Sequence, residues 1–433
     1  MTLKEFLDGS NNGYIKAERY LNDGSPSGFS ALNTTSEYTR PKALAPSFNL
    51  KLIKFNQDIL IEDFGEYKSS YIKKDCIYIH PDMLDSNELI INISHSVENE
   101  IIVAPTASGR TVLPLGKNYF IKLAYIGYLG RIVRHMSGEI IRSACEVTKQ
   151  LIVATKTKKI NSAFSFLRED FGRVAHIPMS NLTSKTIKLP SNNRGCYEWG
   201  VLFREFKPFP YIQEDEFLIP FFSLFSKEYD PATGKPITCQ DKPLLIQLFE
   251  NQNKSIEDFL LYDILFPLFN TYFDALIHAG IELEAHAQNM LLTINNENII
   301  KRIVCRDLES AGRDVPVMEY MGIDYVKNGN YKYNVIKPTE IGQKYPKYYI
   351  NHSFMFDFKL GEYIVTPLIK LAHKYASIDH MSMINKIKEF NRQFIEKLPN
   401  DFFPPDWCHY DNINWELEKK TREYVWQDNP KYR

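Results

Sequence analysis

The chain has 433 residues, of which 44% are hydrophobic and 24% are charged, and its net charge is −1. This is the composition of a globular protein with room for two or three domains, and the charge excludes an overall attraction to nucleic acid or to an anionic membrane. The six cysteines are scattered without a CxxC pair, which argues against a zinc cluster and indicates reduced thiols. Neither a signal segment nor a run of about 20 apolar residues is present, so we expect a cytoplasmic protein without a membrane span.

The first half of the chain is predicted to be rich in β-structure. Residues 1–46 are polar, irregular in pattern and rich in turn-forming residues. Residues 48–61 read as two strands, and residues 119–125 read as a strand that carries Lys122. Ser137 is a typical N-cap for a helix, because apolar residues follow it at helical spacing.

The second half is predicted to be mixed and then helical. Ser255 precedes Asp258 as in a capping box, and opens a long apolar helix. That helix should kink at Pro267 and end at Gly280. Residues 349–398 read as two or three further helices. A β-rich part followed by a mixed and then a helical part indicates an α+β protein.

A predicted β-hairpin carries the first candidate site. Two apolar runs, 290–294 and 299–305, flank an Asn-rich turn, and folding about that turn places His286 opposite Asp307. Carboxylate and amide oxygens are the usual protein ligands of Mg²⁺ in nucleotide enzymes, so this end of the hairpin is a candidate Mg²⁺–phosphate site. The same polar residues would also serve simply to cap a hairpin. The residues collected at this end are Glu284, His286, Gln288, Asn289, Arg306, Asp307 and Glu309.

A basic loop and the strands after it form the second candidate site. Hydroxyls, backbone N–H groups and separated cations suit the binding of a polyanion. The alternative is that Lys122 lies on a solvated strand face and Arg134 is a surface charge. Because the chain has no GxxxxGK[ST], GxGxxG, GxSxG or HExxH motif, a nucleotide would bind in a less common pocket. The residues concerned are Thr106, Ser108, Arg110, Thr111, Lys122 and Arg134.

These motifs together resemble the IucA/IucC family, the NRPS-independent siderophore synthetases. The chain has an S-x-R-T loop at 108–111, then Lys122 eleven residues after Thr111, and Arg134 twelve residues after Lys122. The family's E-A-H-x-Q-N motif matches residues 284–289, and its R-D motif matches residues 306–307. Softer similarities extend the match to about residues 40–310.

The resemblance implies an α+β fold likened to a cupped hand, with thumb, fingers and palm. Residues 1–46 would be a reduced N-terminal segment, residues 47–245 a fingers-like β-rich domain, and residues 246–433 a palm-like domain. A homodimer is also implied.

The resemblance further implies an AMP-forming carboxylate–amine ligase that uses ATP and Mg²⁺. A polycarboxylic acid, usually citrate, would form an acyl-adenylate with release of pyrophosphate, and a polyamine or amino alcohol would then displace AMP. The implied ATP contacts are Ser108, Arg110, Thr111, Lys122, Arg134, His286 and Gln288. The implied catalytic and carboxylate-binding residues are Arg110, Arg134 and His286, and the implied metal ligands are Asn289, Asp307 and Glu284.

The chain also departs from the family pattern. The family is usually longer, mainly at its N-terminus, and its GHPxHPxxK-like element is absent, with residues 22–30 near its place. Gly130 replaces a threonine that contacts the acid, and the C-terminal basic motif is not evident, with Arg422 as a candidate remnant. These departures concern the acid substrate more than the nucleotide site.

Two other functions stay open at this point. The order of His286, Asn289, a hairpin and Asp307 is similar to a kinase catalytic loop followed by its metal-binding aspartate, which suggests a phosphotransferase. The missing motifs instead suggest a degenerate homologue that binds a siderophore or a partner synthetase without catalysis.

Overall fold

The computed structural model describes thirteen stretches of the chain and one isolated position, residue 160. These are residues 1–8, 11–23, 46–56, 59–84, 89–129, 132–157, 160, 163–184, 188–237, 242–324, 335–336, 352–404, 406–413 and 422–433. Gly130 and most of residues 22–30 lie outside them, so the predictions made for these positions stay untested.

An eight-stranded antiparallel sheet dominates residues 48–205. By register Lys122 pairs with Leu202, and Arg204 follows two residues later on the same face. The strand order across the sheet is Leu60–Gly65, Phe171–Pro178, Cys196–Glu205, Tyr119–Leu123, Thr111–Pro114, His95–Pro105, Phe48–Phe55 and Ile77–Ile79. The predicted strands at 48–61 and 119–125 are confirmed.

The helix Gly138–Lys156 packs on the face of this sheet that carries Lys122 and Arg204. Its predicted cap is confirmed, because the Ser137 side chain accepts a hydrogen bond from the backbone N–H of Ile140. The helix approaches closely where the strands carry glycine: a Cβ at Gly172 would lie 2.5 Å from Ile141 Cγ2. Small residues in the sheet therefore fix how near the helix lies to the strands.

The hydrophobic residues form two large cores, and a long helical run forms the centre of the one that lies outside the large sheet. The side chain of Ser255 accepts from Asp258 N, and Gly280 ends the run with φ of 62°, as predicted. The run consists of Ile256–Asp258, a π-helical segment Phe259–Leu265 just before Pro267, and Phe266–Ala279. Among the described residues it is the one helix long and apolar enough to cross a membrane, but 72% of the apolar window is buried, as is usual for a core helix.

The predicted hairpin is confirmed, with a different register. Its strands are Met290–Ile294 and Ile300–Cys305, and Met290 pairs with Cys305, two residues from the predicted alignment. The shift has a local cause, since Asn298 adopts a left-handed conformation in a longer turn and a bulge follows Thr293. Phe164–Phe166 and Phe217–Pro220 complete a four-stranded sheet with the hairpin. Strands from both sides of residue 245 therefore pair with each other, and the domain limits stay a prediction.

The expectation of an irregular N-terminal segment was wrong for residues 3–6 and 12–20. Leu3–Phe6 forms a 3₁₀ helix and Asn12–Tyr20 forms an α-helix. The helix has polar residues on its buried side, and Glu18 is fully buried. Its partners come from distant parts of the chain, so a count of polar residues suggested a loop.

The C-terminal part contains the helices expected for residues 349–398. They are the π-helical segment Phe354–Val365 and the α-helices Thr366–Ala376 and His380–Ile395. Arg422 begins the strand Arg422–Asp428, which pairs with Trp407–Ile413. The remaining helices are Pro81–Leu84, Met179–Asn181, Phe221–Leu224, Leu244–Glu250, Leu308–Ser310 and Val315–Tyr320. The remaining strands are Leu89–Ile91, Tyr125–Leu129, Ile132–Arg134, Leu182–Ser184, Ile281–Glu282, Gly312–Asp314 and Val335–Ile336. The α+β class is confirmed.

Candidate active site

The basic loop is a tight turn between two strands of the large sheet. The backbone N–H of Thr106 donates to the carbonyl of Thr111 at 2.9 Å, and Gly109 takes a φ of 74°. The Ser108 hydroxyl accepts from Thr111 N at 3.1 Å and so closes the loop. This closure fixes the position from which Arg110 extends.

Arg110 and Lys122 meet the end of the hairpin in an ion cluster. Lys122 Nζ binds the Asp307 carboxylate and lies 2.7 Å from Glu309 Oε1. Arg110 Nη2 donates to the same Glu309 oxygen at 2.8 Å. The basic segment and the hairpin end, 185 residues apart in sequence at Lys122 and Asp307, thus form one site.

Arg204 and Glu169 complete this cluster, and sequence reasoning missed both. Arg204 binds Asp307 and Glu169, and Glu169 Oε2 also accepts from the backbone N–H of Glu309 at 3.2 Å. Both side chains are buried, which requires such pairing. The available signal was an arginine within the apolar strand Cys196–Glu205.

The surrounding cations keep Asp307 ionised. Burial alone would raise the pKa of Asp307, but Lys122 and Arg204 hold it well below its usual range. The residue also has φ of 70°, in the left-handed region that favours glycine. A non-glycine residue in this conformation is uncommon, and here it directs a carboxylate towards two cations.

His286 lies at the same end of the hairpin as a neutral ring. The backbone N–H of Gln288 donates to His286 Nδ1 at 3.2 Å, so the proton is on Nε2, which lies 3.8 Å from Glu284 Oε2. Burial lowers the pKa of His286 to about 4. The ring is therefore a hydrogen-bond donor through Nε2 at neutral pH, not a cation.

Glu284 connects His286 and Asn289 to the C-terminal helices. Its carboxylate lies 3.4 Å from Asn289 Nδ2, and its other oxygen lies 3.2 Å from Lys359 Nζ. Burial would raise the pKa of Glu284, but Lys359 lowers it, so the carboxylate is ionised. Lys359 was not predicted, because nothing in the pattern of residues 349–398 separates it from a surface lysine.

Arg134 differs from the other cations of the site. Its side chain is exposed and makes no ion pair with a described carboxylate. Its charge nevertheless interacts with Arg110, Asp307 and Glu284, and its carbonyl accepts from Arg110 Nη1 at 3.3 Å. An arginine that adjoins the site and has no described carboxylate as its partner is suited to bind an incoming anion.

Residues of the N-terminal helix Asn12–Tyr20 hold two parts of the site together. Arg306, beside Asp307, donates to Tyr14 and Glu18. Glu18 Oε2 also accepts from the backbone N–H of Ala107 at 2.9 Å. One buried carboxylate therefore ties the basic loop to the R-D motif, which gives the helix Asn12–Tyr20 a structural role in the site.

The oxygen donors of the site fit a Mg²⁺ ion shared with a substrate. Asp307 and Asn289 offer hard oxygen atoms, and the Asn289 amide lies 3.4 Å from Ser310 Oγ in the turn that follows Asp307. In the described stretches, no group of three or more His, Cys, Asp or Glu side chains is placed to enclose a metal. Few protein ligands are what Mg²⁺ uses when phosphates and water supply the others.

The structure brings most of the predicted site residues into one region. Arg110, Lys122 and Asp307 are in direct or shared contact, and Glu284, His286 and Asn289 adjoin them. Ser108 and Thr111 form the loop itself, while the backbone carbonyl of Gln288 accepts a hydrogen bond from Arg306 Nε. Individual roles in binding and catalysis stay predictions.

Comparison with known proteins identifies the fold. Neither a known family profile nor a curated protein sequence matches the chain. Among solved structures, the petrobactin biosynthesis protein AsbB from Bacillus anthracis str. Sterne matches with a TM-score of 0.65 and 16% identity, over 96% of this chain and 75% of AsbB. The aerobactin synthetase IucC from a hypervirulent pathotype of Klebsiella pneumoniae matches with a TM-score of 0.65 and 13% identity, over 100% and 78% of the two chains.

ATP-bound aerobactin synthetase IucA from the same source gives a similar result. Its TM-score is 0.63 at 14% identity, over 99% of this chain and 80% of IucA. Agreement over nearly the whole chain, at identities too low for a sequence match, is a likeness of fold. The resemblance drawn from the motifs is confirmed at this level: the chain has the IucA/IucC fold.

Proposed function

We propose that the chain is an ATP-dependent siderophore synthetase. It would condense a polycarboxylic acid, with citrate as the first candidate, with an amine or hydroxyl through an acyl-adenylate. Three observations support this: the fold is that of two aerobactin synthetases and a petrobactin biosynthesis protein, the IucA structure was solved with ATP bound, and the five motifs are present.

One observation carries the proposal. Lys122 of the sheet and Arg110 of the basic loop meet Asp307 and Glu309 after the hairpin in a largely buried cluster. Attack of a carboxylate on a phosphate brings two anions together, so it needs fixed cations in a place that water does not fill. The cluster and the adjoining Arg134 provide such cations.

The first step would form the acyl-adenylate. A carboxylate oxygen of the acid attacks the α-phosphorus of ATP, the bond from that phosphorus to the bridging oxygen breaks, and pyrophosphate leaves with the electron pair. Arg110 and Lys122 would hold the triphosphate, and Arg134 would hold the acid. His286 would donate its Nε2–H to an oxygen on which charge develops. Asn289 and Asp307, supported by Glu284, would hold Mg²⁺, which lowers the negative charge of the phosphates.

The second step would release AMP. The nitrogen of the amine attacks the acyl carbon, the bond from that carbon to the AMP oxygen breaks, and the amine proton passes to solvent. This step needs no nucleophile from the protein. The described site accordingly has carboxylates, amides and cations around its centre, and its cysteine, Cys305, is buried with a raised pKa.

The direct test of the proposal is the release of pyrophosphate. Purified protein is supplied with ATP, Mg²⁺, one of citrate, 2-oxoglutarate or succinate, and a panel of diamines, polyamines and amino alcohols. We expect pyrophosphate and AMP in equal amounts, dependent on both the acid and the amine. ADP as the product would indicate a phosphotransferase. Binding of a siderophore without any turnover or MgATP binding would indicate a non-catalytic homologue.

Replacement of His286 by alanine tests its assigned role. Loss of a donor that acts as charge develops should lower kcat by at least about tenfold and leave the KM for ATP within about threefold. His95, an exposed histidine on the large sheet, provides the matched control as His95→Ala. Steady-state kinetics of both variants distinguish the outcomes, and unchanged kcat in His286→Ala would remove this residue from the mechanism.

A further inference from the structure

The cations at the centre of the site already share an internal anion. Glu309 Oε1 accepts from Arg110 Nη2 at 2.8 Å and lies 2.7 Å from Lys122 Nζ. Glu309 is only 7% exposed and belongs to the short 3₁₀ helix Leu308–Ser310. A single oxygen bound by an arginine and a lysine occupies the kind of position that a phosphate oxygen takes.

The three carboxylates of the cluster have different partners. Glu169 is fully buried and paired with Arg204, which makes it part of the core. Asp307 is held between Lys122 and Arg204. In the part of the chain that the structure describes, Glu309 is the carboxylate that joins Arg110 of the basic loop to Lys122 of the sheet. It therefore occupies the two cations predicted to hold the triphosphate.

The charges of this cluster balance. Arg110, Lys122 and Arg204 supply three positive charges, and Glu169, Asp307 and Glu309 supply three negative charges. A polyphosphate that enters without a metal would meet a neutral cluster and would have to compete with Glu309 for both cations. The negative charges of the phosphates and of the carboxylates would lie close together in a buried site, and their repulsion opposes such binding.

We propose that Glu309 is a specificity-determining residue that disfavours metal-free polyphosphate and so selects the metal-bound nucleotide. A divalent cation that arrives with the phosphates lowers their charge, and Arg110 and Lys122 can then exchange Glu309 for a phosphate oxygen. This inference rests on the proposed function, since it takes the ligand to be a triphosphate. It adds a residue that the resemblance does not assign.

The test is a binding measurement without turnover. Calorimetry at constant ionic strength compares sodium tripolyphosphate in excess EDTA with MgATP. We expect wild type to bind MgATP at least tenfold more tightly than metal-free tripolyphosphate. We expect Glu309→Gln to bind metal-free tripolyphosphate at least tenfold more tightly than wild type does, because the variant keeps a polar group but loses the competing charge.

Two further variants serve as controls. Glu309→Asp keeps the charge and should bind metal-free tripolyphosphate as weakly as wild type. Glu297→Gln removes an exposed carboxylate at the far turn of the hairpin and should match wild type throughout. Thermal unfolding followed by circular dichroism shows whether each variant is folded.

The outcomes separate this inference from the proposed function. Wild type that binds metal-free tripolyphosphate as tightly as MgATP overturns the role of Glu309, whether or not the variant folds. A folded Glu309→Gln without the expected gain does the same, and leaves the synthetase proposal intact if pyrophosphate is released. The expected gain in a protein that releases no pyrophosphate with any substrate pair would support Glu309 while the proposed reaction fails.

Discussion

Replacement of Lys122 by methionine is expected to lower kcat/KM for ATP by at least about a hundredfold, equivalent to about 2.7 kcal/mol. Lys122 is 2% exposed and contacts both Asp307 and Glu309, so its removal leaves the half-buried Asp307 and the buried Glu309 with fewer cations. Truncation of one partner in a buried charge pair costs about 2–5 kcal/mol, and here the lost cation is also a proposed phosphate ligand. Pyrophosphate release at varied ATP gives the measurement.

Lys117 provides the matched control for this substitution. It is exposed in the turn between Thr111–Pro114 and Tyr119–Leu123, one strand length from Lys122, so Lys117→Met changes the same charge without entering the site. We expect its kcat/KM to stay within about twofold of wild type. If Lys122→Met retained activity within about threefold while folded, the triphosphate would have to bind elsewhere.

The local signals of the sequence proved sufficient for the elements that frame the site. Ser137 and Ser255 cap helices as predicted, and Gly280 ends one, because each acts through its own neighbouring backbone groups. Capping and turn chemistry depend on residues within one helical turn, so they are visible in a single sequence. The hairpin was visible for the same reason, although its register depended on a bulge and on the turn at Asn298.

The long-range contacts of the site were not visible in the same way. Glu18, Glu169 and Lys359 are each paired with a residue far away in sequence, at Arg306, Arg204 and Glu284 respectively. A buried charge carries no local mark that distinguishes it from a solvated one, and its partner follows only from the fold. The motif resemblance supplied part of this information, which is why Lys122 and Asp307 were expected together while Arg204 was not.

His352 should contribute strongly to stability through a buried ion cluster with Glu282 and Asp314. Its Nδ1 lies 2.7 Å from Glu282 Oε1, its Nε2 lies 3.3 Å from Asp314 Oδ2, and the ring stacks on Phe402 with centroids 3.8 Å apart. All the charged groups of this trio are fully buried. Replacement by glutamine should lower the free energy of unfolding by about 3–5 kcal/mol near pH 6, because Glu282 and the ionised fraction of Asp314 lose their shared cation.

The pKa shifts in this cluster determine how the free energy of unfolding changes with pH. Burial alone would lower the pKa of His352, but Glu282 and Asp314 raise it above its ordinary value, with Asp401 acting in the same direction. The folded state then holds a proton that the unfolded state releases above about pH 6.5, so stability falls as the pH rises through the folded pKa. Burial also raises the pKa of Asp314 to about 6, so this carboxylate adds a fall in stability from about pH 4 to about pH 6, below the window of His352.

The difference between wild type and His352→Gln should therefore be largest near pH 6. It should shrink as the pH is raised through the folded pKa of His352, because the wild-type ring then becomes neutral and offers the carboxylates no more than glutamine does. Urea unfolding at a series of pH values measures this difference, with substitution of the exposed His95 by glutamine, at the start of the strand His95–Pro105, as a control without an effect. A difference that stays constant as the pH is raised from about pH 6 to the limit at which wild type remains folded would mean that His352 is neutral in the folded protein, and the cluster would then stabilise the fold by packing and hydrogen bonding instead of by charge.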